Sequence, residues 1–86
     1  MAKRELSEVI DKLGKVVPQL IGIFAAQRRE WVALAYRSPE TRGDAERIMW
    51  AVAQGTLYGA MEAFQMLKYV TDEQVEKTKR IWNGLE

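Results

Sequence analysis

The sequence predicts an all-α protein: a long helical hairpin over residues 2–37 and 39–69, then a short helix over 72–83, packed in an oligomer. Three observations lead there. Apolar residues recur at helical spacing, start and stop signals bracket the segments, and two long stretches that would face each other carry no charge.

The first segment, 2–37, places Leu6, Val9, Ile10, Leu13, Val16, Val17, Leu20, Ile21 and Phe24 on a helical period. Pro18 interrupts it by removing one backbone donor and crowding the carbonyl four residues earlier, at Gly14. With Gly14 and Gly22 on either side, the expectation is one helix kinked near Pro18; the competing reading is a break at Val17 with Pro18 opening a second helix. Ser38-Pro39 is a start signal, an N-cap followed by Pro at the first helical position, and it opens the segment 39–69. The third segment has the clearest boundaries. Thr71 and Gln74 form a capping box, Val70 and Val75 stand at staple positions, and Asn83-Gly84 supplies the stop. Val75, Thr78, Trp82 and Leu85 are its expected inward stripe.

Residues 16–27 and 48–61 contain no charged side chain. A hairpin turning at Ser38 sets Gln27 opposite Met49 and Val16 opposite Ala60, so the two stretches face each other. Helices apolar nearly all round are covered on several sides. A chain of 86 residues, a single all-helical domain over 1–86, has little of its own left to cover them. With no Cys for disulfides, and neither Cys nor His for a zinc-type site, oligomerisation is the remaining source of stability. A ridge of small residues agrees: Ala51, Gly55, Gly59 and Ala63 recur every four positions, with Gly22 and Ala26 as a shorter ridge on the first segment. Such ridges let helices approach closely, either inside one subunit or between subunits. Trp31 and Trp50 join these six residues as candidate interface anchors.

Composition argues against an enzyme, a metal site or a cofactor. His and Cys are absent, Ser7 and Ser38 read as surface and cap residues, and no Gly-rich phosphate loop exists. The carboxylate pairs Glu5/Glu8 and Glu73/Glu76 read as solvated helix faces, and no small-molecule substrate is evident. The net charge of +1 does not point to a polyanion. Locally, however, Arg28, Arg29, Arg37, Arg42 and Arg47 cluster around the hairpin turn among Trp31, Tyr36 and Trp50, a pattern that could grip a DNA or RNA backbone without reading sequence. Glu30, Glu40, Asp44 and Glu46 share the tip and compete for the same arginines. An integral membrane role is not expected: residues 48–67 include Gln54, Glu62 and Gln65, and mean hydropathy is −0.29. The start reads as an amphipathic pattern rather than a signal peptide, which fits a cytoplasmic or virion protein.

The functional expectation is a structural subunit that self-assembles with copies of itself into a helical filament, shell or virion coat, with the Arg-rich tip as a candidate nucleic-acid surface. The alternative is a small dimeric four-helix-bundle regulator or adaptor that binds a protein or nucleic-acid partner.

Overall fold

The computed structural model describes residues 4–35 and 42–86. All regular structure among them is helical: α1 (Leu6–Val16), α2 (Gln19–Ala35), α3 (Arg42–Met66) and α4 (Asp72–Trp82). The Ser38-Pro39 start signal lies outside the described residues.

The expected single kinked helix over 2–37 is instead two helices. Val17 adopts an extended conformation, φ −129° and ψ 90°, as the C-cap of α1. The physical reason lies in Pro18, whose ring disfavours helical geometry at the preceding residue. Its missing N–H then falls at the start of α2, where no helical partner exists for it. The junction is tightly bonded all the same. The Val17 N–H donates to the Leu13 carbonyl at 2.9 Å, and the Leu20 and Ile21 N–H groups donate to the Val17 and Pro18 carbonyls at 3.0 and 3.1 Å.

After the break the chain doubles back. The Arg28 guanidinium donates to Asp11 Oδ1 at 2.8 Å and, more distantly, to the Ser7 carbonyl, while Gly14 and Ile21 meet nearer the turn. Contacts that nest in this order make α1 and α2 antiparallel. Gly14 permits the approach: a Cβ there would lie 2.6 Å from Ile21 Cγ1. Its role is therefore room for the neighbouring helix rather than freedom for a kink.

α4 lies antiparallel along α1, and each helix closes an end of the other. The Gln74 amide donates to the Val16 carbonyl at the C-terminus of α1. Arg4, just before α1, donates to the Ile81 and Trp82 carbonyls at the C-terminus of α4, at 3.1 and 2.9 Å. Carbonyls in a last helical turn have no intrahelical donors, so side chains from a neighbour satisfy them. The capping box at Thr71 and Gln74 is formed in both directions. The buried stripe of α4 is Val75, Thr78, Ile81 and Trp82, whereas Leu85 is exposed, contrary to expectation. Gly84, with φ +77°, turns the chain away before Leu85 can continue the stripe, and Ile81 takes the inward place.

α3 packs against α2 and more lightly against α4. The Gln27 amide donates to Thr56 Oγ1 at 2.6 Å. Gln27 thus pairs seven residues beyond the expected Met49 level. Seven residues are close to two helical turns, so the same faces meet despite the shift. α3 ends at Met66 rather than at 69. The Tyr69 N–H donates to the Phe64 carbonyl and the Lys68 N–H to the Gln65 carbonyl, and the Phe64 and Tyr69 rings lie 6.3 Å apart. This is a Schellman cap with its usual hydrophobic contact. Lys68 occupies the left-handed position, at φ 59°.

One hydrophobic cluster joins all four helices. Val9, Ile10 and Leu13 come from α1, Leu20, Phe24 and Trp31 from α2, Ala53, Leu57 and Met61 from α3, and Val75, Ile81 and Trp82 from α4.

Candidate assembly surface

α3 buries a narrow stripe. Ala53 and Leu57 are fully buried and Met61 nearly so, four residues apart along one face. A helix advances 100° per residue, which puts Gly55 and Gly59 on the side opposite Leu57. All four residues of the ridge, Ala51, Gly55, Gly59 and Ala63, are exposed. A Cβ built on Gly55 or Gly59 meets nothing within 4 Å. The ridge therefore makes no close helix contact within the described chain, and packing among the described residues does not explain it.

Large apolar side chains flank the ridge. Ile48 is 49% exposed, Val52 44% and Met66 78%, with Tyr58 at the margin. Scattered exposed apolar residues are ordinary, but a contiguous face of them marks an interaction site. Glu62 is the sole charged residue from Ile48 to Met66. The second ridge behaves alike: Gly22 and Ala26 are exposed on α2 beside Ile21, which is 56% exposed, and a Cβ on Gly22 meets nothing.

The two tryptophans proposed as anchors differ from the ridge. Trp31 is 9% exposed and belongs to the core, its ring 6.3 Å from Phe24. Trp50 is half-buried beneath Trp82, with ring centroids 5.2 Å apart. The Arg4 guanidinium lies 5.4 Å over the Trp50 ring, in cation–π range. Trp82 Nε1–H donates to Gln54 Oε1 across this corner at 3.4 Å. Arg4, Trp50, Gln54, Trp82 and Asn83 line an open groove of about 450 Å³. Arg4 donates there to backbone carbonyls, so the groove is built chiefly as a joint between α3 and the two ends of the α1/α4 pair.

Of the arginines expected at the tip, the side chains of Arg28, Arg29 and Arg47 are described. Arg28 is half-buried on the α1 side of α2, paired with Asp11. Arg47 is exposed and paired with Asp44 within the first turns of α3. Arg29 is exposed. Arg37 and the side chain of Arg42 lie outside the described residues. Arg47 thus pairs with one of the tip carboxylates expected to compete for it, while Arg28 pairs with Asp11, outside the tip.

No helix is long and apolar enough to cross a membrane among the described residues. No group of three or more potential metal-ligating side chains is found among them either. Comparison with protein-family models, curated proteins and solved structures gives no match to this chain.

Sequence reasoning missed the residue that ties the fold together at this corner. Arg4 acts on carbonyls 77 and 78 positions away, and no local pattern marks such a contact.

Proposed function

We propose that this chain is a structural subunit whose work is to associate with copies of itself. One observation carries the reading: the outward face of α3, from Ile48 to Met66, is apolar and rich in small residues, and no other part of the described chain covers it. Gly inside a helix costs roughly 1 kcal/mol relative to Ala. Two on one exposed face, with open space where each Cβ would be, bring no return in the monomer. Close packing against another helix supplies that return.

The chain carries a second free ridge on α2, at Gly22 and Ala26. Two separate faces allow growth beyond a closed pair, because heterologous or alternating contacts generate open arrays. This favours an assembling subunit over a regulator that stops at a dimer. The assembly reading does not depend on nucleic acid.

Light scattering across a concentration series tests the reading. A mass that rises with concentration is expected, and a monomer at high concentration overturns it. A fixed dimer at every concentration would favour the regulator instead. Gly55→Leu should lower the assembled mass while leaving the helical circular dichroism intact.

A further inference from the structure

From this assembly reading we further infer that α3 pairs with α3 of a second copy in the antiparallel sense, about a two-fold axis passing between Gly55 and Gly59. The ridge and its two ends are palindromic, although the same axis relates Val52 to Glu62. Ile48, Ala51, Gly55 read outward from one side in the same order as Met66, Ala63, Gly59 from the other: large, small, small. An isologous contact needs a patch that complements itself, residue i meeting j while j meets i. Antiparallel pairing sets Gly55 against Gly59 of the partner copy, Ala51 against Ala63, and Ile48 against Met66.

Charge decides the direction. Glu62 lies at the edge of this face, exposed, and forms no ion pair with the described residues. At 100° per residue, Arg47 and Asp44 lie on the same edge, toward the N-terminus of α3. Parallel pairing, about an axis along the helices, would carry the two Glu62 side chains to opposite edges of the contact and leave each without a cation, since α3 has no other charged residue from Ile48 to Met66. Antiparallel pairing brings Glu62 to the edge that carries Arg47 of the second copy. The two differ by five residues along the axis, about 7.5 Å at the helical rise, which an extended Arg side chain spans. Arg47 keeps donors enough for Asp44 and Glu62 together. The pair occurs twice per dimer by symmetry.

Cross-linking tests the direction, because the chain has no native Cys. Ala51→Cys and Ala63→Cys are made separately; both residues are exposed, so the fold is retained. Each variant alone, and the two refolded together, are treated with a short bismaleimide, while the unmodified chain is weighed by light scattering. Covalent dimer is expected from the mixture alone, because antiparallel pairing holds each Cys about 18 Å along the axis from its own copy. Dimer from each single variant would mean parallel pairing and overturn the inference. No cross-link in any sample, with the unmodified chain still associated, would move the contact to another face. A monomeric unmodified chain would overturn the underlying assembly reading itself. A charge exchange gives a second measurement. Glu62→Arg and Arg47→Glu should each weaken association by about fivefold, as expected for exposed pairs, and mixing the two variants should restore it; weakening without rescue overturns the pairing of these residues.

Discussion

The α1/α4 pair and α3 solve the same problem in opposite ways. α1 and α4 are each 11 residues long, and each end that faces the other is closed by the other's side chain. Their buried stripes match in length, so little apolar surface is left over. α3, over Arg42–Met66, packs against α2, over Gln19–Ala35, along one face. It buries Ala53, Leu57 and Met61 and turns the ridge outward. The amphipathic pair completes itself within the chain. The near-uniformly apolar helix has a second face that four helices do not reach. A second apolar face on one helix, rather than total hydrophobicity, marks the surface left for another molecule.

The largest effect should come from the side of α3 that the fold does use. Leu57→Ala removes a fully buried side chain from the cluster shared by all helices. It should cost about 2–5 kcal/mol, read by denaturant unfolding. At the closed end of the other region, Arg4→Ala should cost about 1 kcal/mol, because Arg4 is partly exposed and water can replace part of its bonding to the α4 carbonyls. Gly84→Ala should cost about 1–2 kcal/mol by forcing a Cβ into the left-handed region, 3.3 Å from the Arg4 guanidinium. If Arg4→Ala matches a surface substitution in a thermal melt, the mutual closure of α1 and α4 contributes nothing.

On the open face the sign should reverse. Gly55→Ala meets no neighbour, so it should stabilise the folded monomer by about 0.5–1 kcal/mol. Destabilisation of the monomer would mean that the ridge is already packed. The smallest effect compares the two C-caps. α4 ends on Gly84 and α3 on Lys68, both with positive φ in Schellman geometry. Lys68→Gly should therefore gain up to about 1 kcal/mol in chemical denaturation, while the same change at neighbouring Leu67 gains nothing.

Much of this contrast was legible in the sequence. The capping box at Thr71, the stop at Gly84 and the outer ridge of α3 are local or periodic patterns, and a single helix dictates them. From the sequence, Gly14 and Gly22 on either side of Pro18 favour a kink over a break. Pro18 itself breaks the helix at Val17, and Ile21 packing into the space over Gly14 then fixes the doubling back. The substitution of Ile81 for Leu85 in the α4 stripe followed from the position of the αL residue, which ends helical phase before 85. The Gln27–Thr56 register and the Arg4 contacts had no local signature, since both join residues far apart in the chain. Of the candidate surface, the ridge was readable and its orientation was not. A four-residue repeat says which residues share a face, and only the packing of Leu57 says which way that face points.

The stacked corner of Trp50 and Trp82 has an optical consequence. Two indoles 5.2 Å apart and inclined at 54° couple their electronic transitions. The chain should show an exciton couplet in circular dichroism, superimposed on the helical bands. Its sign and size depend on the mutual orientation of the rings, one on α3 and one at the end of α4. Helix content and helix docking thus register as separate signals in one spectrum. Loss of the couplet with the helical bands unchanged would identify a state in which the helices persist but α4 has left α3.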